Sequence, residues 1–394
     1  MKRLFVTATV VGVTATVVPL TSVAVATTGP TRSAGTPAAL FLPTPTGAQA
    51  VGTTSLYLED TSRPDPWVPE AKARELVVSL WYPAKSTGKQ RARYMTPIES
   101  ELLLKDGGIT TVPYDTLSTT RTNAFTDTQP AGRRHSLPLV VLSPGFSKPR
   151  TTLTALAEDL ASHGYIVAGV EHTYESVATS FPDGRVTTCV ACEVPDRTET
   201  FWTKVDQGRA ADVSFVLDEL TRPHSRWRGS SLIDPSRIAM AGHSAGGASA
   251  LAAMAADSRL RAGINIDGLT NNPIPDTVLS RPFLFVGRQN NFTPGMPSAV
   301  SWERDWQHLT GWKRWLVVTG AVHASFTDVA ILAEQIGLDT GADVPAIRST
   351  EITRAYTRAF FHRHLRAKHQ PLLDGPSTRY PEVRFCAVET RACA

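Results

Sequence analysis

Short runs of apolar residues recur along the middle of this chain, and their pattern predicts buried β-strands. Most of these runs are apolar at nearly every position rather than at alternate positions, which is typical of strands covered on both faces. The predicted strands lie at Leu76–Tyr82, Leu137–Leu142, Tyr165–Val170, Arg237–Ala241, Ala262–Ile266, Pro282–Val286 and Arg314–Val318. We expect Pro83 to end the first of them.

Apolar residues at helical spacing separate these strands. The periodicity predicts helices over Thr151–His163, Lys204–Leu220, Gly246–Leu251 and Ile352–Leu365. Strands that alternate with helices predict an α/β fold, in which a mostly parallel central sheet carries helices on both faces. We expect one such domain over residues 51–394, with a polar, irregular insertion at about 88–135 that covers part of the sheet edge.

The first residues predict export rather than a folded element. Lys2 and Arg3 precede an apolar stretch, and Ala24-Val25-Ala26 has the small-residue pattern of a cleavage site. We interpret residues 1–26 as a secretory signal peptide; a membrane anchor is the alternative, which the Gly, Thr and Pro content disfavours. Residues 27–50, rich in Thr, Pro, Ala and Gly, are interpreted as a flexible leader.

The net charge of the chain bears on whether it binds nucleic acid. The chain has a formal charge of +4, and removing residues 1–26, which hold two basic residues and no acid, leaves +2. A nearly balanced surface gives no argument for binding nucleic acid. We expect a secreted monomer.

The four cysteines fit an exported protein with two disulfides. Cys386–Cys393 would tie down the C-terminal tail, and Cys189–Cys192 would close a tight local loop. Crossed pairings stay open, and Cys189-Val190-Ala191-Cys192 also has the redox spacing C-x-x-C. Because it lies in a polar loop, we favour a structural role.

The most informative motif is Gly242-His243-Ser244-Ala245-Gly246, a G-x-S-x-G sequence between a predicted strand and a predicted helix. Glycines on both sides allow a sharp turn in which bulky residues would clash. Such a turn presents Ser244 at the carboxyl edge of the sheet, so we predict that it is a nucleophile.

A serine nucleophile needs a base and an acid that orients the base, and in this arrangement both follow the serine along the chain. Of the histidines after Ser244, only His323 lies in a loop just beyond a strand. The usual place for the acid, residues 287–291 after the strand at 282–286, holds no carboxylate. We therefore favour Asp267, which ends the preceding strand, over Asp276 and Asp328.

The oxyanion of the reaction needs two backbone N–H donors. One is expected from Ala245, the residue after the serine, and the other from Phe146 in the loop Ser143-Pro144-Gly145-Phe146. These parts predict ester hydrolysis through an acyl-enzyme on Ser244 with water as the acyl acceptor. No metal or cofactor is required.

Several stretches between Leu80 and Asp328 resemble the platelet-activating-factor acetylhydrolases of the secreted, lipoprotein-associated type. The stretches are 80–83, 145–146, 159–168, 170–172, 242–247, 266–268 and 323–328. The resemblance implies the α/β-hydrolase fold, an acid at Asp267 and hydrolysis of short or oxidised acyl groups from phospholipid esters, with peripheral contact to lipid surfaces. The Ala-, Arg- and Thr-rich sequence also looks like that of an exported actinobacterial protein.

Three departures from the family pattern leave the substrate open. Phe146 replaces a small aliphatic residue, Ser143-Pro144 replaces Ser-His, and the C-terminal tail carries its own cysteines. A lipase- or cutinase-like esterase acting on triglycerides or polyesters is the alternative. A catalytically inactive hydrolase fold used for binding is a third hypothesis.

Overall fold

The computed structural model describes residues 39–273 and 279–394, and twelve strands of this part form one sheet. The strands in chain order are β1 (Ala50–Asp60), β2 (Arg74–Ala84), β3 (Arg91–Arg93), β4 (Arg121–Phe125), β5 (Leu137–Ser143), β6 (Ile166–Glu171), β7 (Thr179–Ser180), β8 (Val186–Thr187), β9 (Ile233–His243), β10 (Leu260–Ile266), β11 (Phe283–Arg288), β12 (Lys313–Val318), β13 (Val383–Ala387) and β14 (Ala392–Cys393). The spatial order is β14-β13-β12-β11-β10-β9-β5-β6-β2-β1-β4-β3, and β7 pairs with β8 in a separate hairpin.

The central strands β6, β5, β9, β10, β11 and β12 are parallel, as the apolar runs predict. Both faces of these strands are buried. Leu139 and Val141 of β5 pack into one core cluster, whereas Val140 and Leu142 pack into the other. Since successive side chains point to opposite faces, a strand covered on both sides is apolar without interruption.

Helices cover the two faces of the sheet. The helices in chain order are α1 (Pro97–Asp106), α2 (Thr154–Ser162), α3 (Glu199–Thr221), α4 (Ala245–Ala256), α5 (Gln289–Phe292), α6 (Ala299–His308), α7 (Asp328–Gln335) and α8 (Ala346–Arg366). The apolar residues of α3, α4 and α6 join one core, and those of α2 and α8 join the other. The mixed α/β architecture with a mostly parallel sheet is therefore confirmed. Among the described helices, none has both the length and the apolar character needed to cross a lipid bilayer.

Strand β2 continues through Pro83 to Ala84, so the expectation that Pro83 ends it was wrong. Pro83 pairs with Val51 of β1, whereas β6 pairs only with Val77–Trp81 of β2. On the other side β6 has already ended, and the Pro83 carbonyl accepts the N–H of Ala131 at 2.7 Å. The missing N–H of Pro83 therefore interrupts no ladder with β6.

The predicted signal peptide, residues 1–26, lies outside the described residues. The predicted leader lies partly within them, and there the expectation of flexibility was wrong. Leu40 and Leu42 are buried in a small apolar cluster together with Leu104 and Leu117 of the insertion. The insertion itself contains α1, and its strands β3 and β4 extend the sheet beyond β1.

Both predicted local disulfides are present, Cys189–Cys192 and Cys386–Cys393. The second joins β13 to β14, whose register places the two cysteines opposite each other. Because β13 pairs with β12, the tail is fixed to the far end of the sheet.

Candidate active site

Ser244 occupies the sharp turn between β9 and α4. Its backbone angles, φ 56° and ψ −124°, lie in a region that non-glycine residues rarely adopt. A Cβ on Gly242 would lie 2.1 Å from the backbone of Gly246, and a Cβ on Gly246 would lie 2.0 Å from the Ser143 carbonyl oxygen. The two glycines thus make the turn sterically possible, and the turn places Ser244 at the carboxyl edge of the sheet.

Asp267 directly follows β10 at the same edge, and its side chain is fully buried. Its Oδ1 atom accepts the backbone N–H of Arg288 at 2.8 Å, and its Oδ2 atom accepts Nδ1–H of His323 at 2.5 Å. Because a carboxylate can only accept, the proton of the neutral imidazole lies on Nδ1. Nε2 of His323 is therefore free to act as a base.

His323 begins a short 3-10 turn beyond β12, and its side chain is 43% exposed. A second histidine, His243, contacts both the ring and the backbone carbonyl of His323. Nε2–H of the buried His243 donates to the His323 carbonyl at 2.9 Å, and the two rings lie 4.4 Å apart between centroids. Burial, together with the charge that His323 can carry, holds the pKa of His243 well below its ordinary value. His243 thus remains a neutral donor.

Ser244, Asp267 and His323 line one cleft of about 300 Å³. Trp202 and Ala245 lie at its wall, together with Arg288 and Asn291. Between the side chains of Ser244 and His323 the structure forms no hydrogen bond. In enzymes without substrate, catalytic hydrogen bonds are often long and tighten only in the reacting complex.

The loop and the helix that carry the two expected oxyanion donors adjoin the nucleophile. A Cβ on Gly145 would be 3.4 Å from the Ser244 Cβ, which shows how closely the loop 143–146 approaches. Ala245 opens α4, where first-turn N–H groups have no intrahelical acceptor. Within the described part of the chain, the N–H groups of Phe146 and Ala245 have no protein acceptor.

A buried polar network holds the oxyanion loop, and sequence analysis missed it. His172 contacts the Ser143 hydroxyl through Nε2 at 2.9 Å and donates from Nδ1 to Asp212 at 2.8 Å. Arg209 donates to the Pro144 carbonyl at 2.6 Å and to the Glu175 carboxylate at 2.7 Å. Each of these side chains is nearly or fully buried. The chain Ser143–His172–Asp212 therefore has the residue types of a catalytic triad, but it is closed to substrate and serves to fix the loop.

Of the two alternative acids, Asp276 and Asp328, only Asp328 lies within the described residues, and Asp276 lies outside them. Asp328 is buried elsewhere, where its carboxylate accepts the Ala155 N–H at 3.2 Å, at the beginning of α2. The structure thus brings Ser244, Asp267 and His323 together and keeps Asp328 apart.

The same region contains a group of side chains that could hold a metal ion. Ligand atoms of His243, Asp267 and His323 lie within 4.8 Å of one another. Two of these residues are already joined by the His323–Asp267 hydrogen bond, which an ion would have to replace. This geometry fits a proton relay.

The role of Arg288 was not predicted from the sequence, where this residue belongs to the segment 287–291 that holds no carboxylate. In the structure Arg288 Nε lies 2.9 Å from the Asp267 Oδ2 atom. A signal was available, because Arg288 ends β11, the strand after which an acid was first sought.

With its strained serine turn and its histidine–aspartate pair at one sheet edge, this chain is a carboxylic ester hydrolase with the α/β-hydrolase fold. More particularly, it belongs to the family "Platelet-activating factor acetylhydrolase, isoform II", whose model matches residues 39–219 and 226–370.

Three proteins are similar to this chain over most of its length. A protein of Arthroderma benhamiae, named as a probable 1-alkyl-2-acetylglycerophosphocholine esterase, is 28% identical over 89% of this chain and 94% of its own. The platelet-activating factor acetylhydrolase of Canis lupus familiaris is 26% identical over 73% of this chain and 68% of its own. Among solved structures, a ferulic acid esterase from Streptomyces cinnamoneus is 42% identical, with a TM-score of 0.79 over 89% of this chain and 100% of that one.

Proposed function

We propose that Ser244 is the nucleophile of this esterase, with His323 as its general base and Asp267 as the orienting acid. The observation that carries the proposal is the His323–Asp267 hydrogen bond, formed in the cleft that Ser244 lines. It leaves Nε2 of His323 as a proton acceptor. Ser244 Oγ attacks the ester carbonyl carbon while Nε2 takes the hydroxyl proton, and the buried carboxylate stabilises the imidazolium that forms.

The N–H groups of Phe146 and Ala245 bind the oxyanion of the tetrahedral intermediate. His323 then gives its proton to the leaving alcohol as the carbon–oxygen bond breaks. Water hydrolyses the acyl-enzyme by the same steps in reverse, which releases the acid and restores the serine. Loss of one such oxyanion donor costs roughly 3 kcal/mol of transition-state stabilisation.

For the substrate, we propose short-acyl lipid esters of the alkyl-acetyl-glycerophosphocholine kind. Support comes from the family and from the relatives named for this activity. The cleft is small, and Trp202 lies on its wall near Ala245. An aromatic wall near the nucleophile suits a short apolar acyl group.

Esters of ferulic acid are a second candidate, favoured by the 42% identity to the Streptomyces esterase. Three aromatic rings, Phe146, Phe201 and Trp202, pack edge to face beside Ala245, with centroids 5.1–5.6 Å apart. Such rings could stack against an aromatic acyl group. Triglycerides and polyesters are the alternative substrates drawn from the sequence, and the substrate panel described below includes both.

The nucleophile is tested with a fluorophosphonate probe. We expect an adduct on Ser244 in the unmodified enzyme and none in Ser244→Ala, while Ser86→Ala, a change at an exposed serine, labels normally. An adduct that survives in Ser244→Ala with an unchanged thermal midpoint would overturn the assignment.

The substrate is tested by ranking kcat/KM over a panel. The panel contains a short-acyl phosphatidylcholine, ethyl ferulate, tributyrin and a polyester film. We expect the phospholipid to rank first. If ethyl ferulate ranks first instead, the second candidate replaces the lipid assignment; if tributyrin or the film does, the alternative drawn from the sequence replaces it.

We further propose that the enzyme is exported, works as a monomer and meets lipid surfaces at the cleft. The N-terminal pattern and the two disulfides support export. Leu269 on the cleft wall, and Met296 and Val300 on either side of the cleft residue Ser298 in sequence, are large apolar side chains left exposed, at 45%, 39% and 58%. Replacing Met296 and Val300, which do not line the cleft, with Ser should reduce co-sedimentation with phosphatidylcholine vesicles and leave hydrolysis of a soluble ester unchanged.

A further inference from the structure

The side chains that line the cleft include one guanidinium, that of Arg288. The two charged side chains that line the cleft alongside His323 differ in access: that of Asp267 is fully buried, and that of Arg288 is 26% exposed. An entering ligand therefore meets the positive charge of Arg288 rather than the negative charge of Asp267.

The hydrogen-bonding capacity of Arg288 is largely unused. Its Nε atom lies 2.9 Å from Asp267 Oδ2, yet it has no hydrogen-bond partner, so the contact is an ion pair without a directed N–H bond. The Nη atoms form no hydrogen bond with any other described residue. A guanidinium carries five N–H donors in a planar fork that matches the oxygens of a carboxylate or phosphate.

Two neutral polar side chains line the same cleft as this guanidinium. They are Asn291, in the short helix α5 that directly follows Arg288, and Ser298, and neither side chain forms a hydrogen bond with any described residue. These side chains offer hydrogen-bond donors that have no protein partner, and they line the same cleft as a cation with free N–H groups. Such a combination suits a ligand with anionic oxygen atoms.

The position of Arg288 indicates which part of the ester it faces. Arg288 Nε and His323 Nδ1 contact the same oxygen of Asp267, so Arg288 lies on the His323 side. In the proposed reaction His323 delivers its proton to the leaving alcohol. Trp202 and Ala245 also line the cleft, and in the proposed reaction we assign this part of it to the acyl group.

We infer that Arg288, with Asn291 and Ser298, binds an anionic group in the alcohol part of the ester, either a phosphate or a carboxylate. Arg288 is thereby a specificity-determining residue. The inference rests on the proposed function, since it requires ester hydrolysis at Ser244. Arg288 also offsets the repulsion that Asp267 would exert on an anionic substrate.

The test compares matched anionic and neutral esters of one acid. Glycerol monobutyrate is set against the butyrate ester of glycerol phosphate, and the butyrate ester of hydroxypropanamide against that of hydroxypropanoate. A third pair, ethyl glutaramate and monoethyl glutarate, carries the charge on the acyl side. The quantity measured is the ratio of kcat/KM for the anionic ester to that for its neutral partner, which cancels any effect of Arg288 on the Asp267–His323 pair.

Arg288→Gln is expected to lower the ratio by roughly tenfold to a hundredfold for the alcohol-side pairs. The ratio for the acyl-side pair should stay unchanged. Arg288→Lys should retain part of the preference, and Arg228→Gln, at an exposed arginine, should retain all of it. A loss confined to the phosphate pair or to the carboxylate pair supports the inference and identifies the anion.

Two results would overturn the inference: an unchanged ratio in Arg288→Gln for both alcohol-side pairs, or a change confined to the acyl-side pair. Thermal midpoints of the variants report whether they fold. Failure of the proposed function looks different, because the unmodified enzyme would then hydrolyse no neutral ester and Ser244 would take up no fluorophosphonate.

Discussion

The carboxylate of Asp267 accepts Nδ1–H of His323 at 2.5 Å, although 56 positions separate the two residues in sequence. They meet because β10 and β12 are parallel strands on either side of β11, so their carboxyl ends lie at one edge of the sheet. Arg288, at the end of the intervening β11, contacts the same carboxylate. The carboxylate of Asp267 thus contacts both the proposed base, His323, and the cationic side chain of Arg288.

Asp267→Asn is expected to lower kcat on a soluble ester by roughly 10⁴-fold. An asparagine can donate to Nδ1 and so favour the wrong tautomer of His323; the magnitude is that of the corresponding change in a well-studied serine protease. KM should change little. Asp276→Asn, at the alternative acid, is the matched control, and a larger loss there than at Asp267 would transfer the acid role to Asp276.

His243 should influence the rate through the backbone of His323. His243→Phe keeps a ring against His323 but loses the 2.9 Å bond to its carbonyl, and kcat should fall roughly tenfold. His243→Gln retains a donor and should recover part of the loss. If the Gln and Phe variants lose the same activity at equal thermal stability, the hydrogen bond has no positioning role.

Arg209 should affect the oxyanion hole through the loop it holds. In Arg209→Lys a single ammonium replaces the fork that reaches both Pro144 and Glu175. We expect kcat to fall roughly tenfold, and the affinity for a trifluoromethyl ketone, which mimics the tetrahedral intermediate, to fall in parallel with little change in KM. A drop in thermal midpoint with unchanged ketone affinity would show a structural role alone.

Asp206 on α3 makes the stability of the fold depend on pH. Burial raises its pKa from 3.8 to about 7, against the opposing effect of a hydrogen bond from Ser249. Between these values the folded state binds a proton that the unfolded state has lost, so this group's contribution to stability falls as pH rises from about 4 to about 7. The loss amounts to roughly 1 kcal/mol per pH unit.

Asp206→Asn mimics the protonated acid and should remove this loss. Its thermal midpoint should exceed that of the unmodified enzyme at about pH 8 and match it at about pH 4. Differential scanning fluorimetry across this range measures the difference. An equal gain at both ends would mean that the effect does not come from titration of Asp206.

The buried strands of the fold were predictable because both of their faces are covered, which leaves a continuous apolar signal. Strand β1 was missed for the opposite reason. It runs beside β2 over its whole length, but its polar and exposed positions interrupt any apolar run. The leader was misjudged similarly, since Leu40 and Leu42 find their partners in an insertion that the sequence does not place beside them.

By itself the sequence determined the α/β class, the serine turn and the order of the groups that follow it. These depend on local spacing, on glycines at fixed offsets and on apolar runs, which do not require knowledge of distant contacts. Only the tertiary structure decided that His243 and Arg209 support the site and that Arg288 faces the cleft. Those contacts join residues on separate strands and helices, and they arise only when the sheet brings the strand ends to one edge.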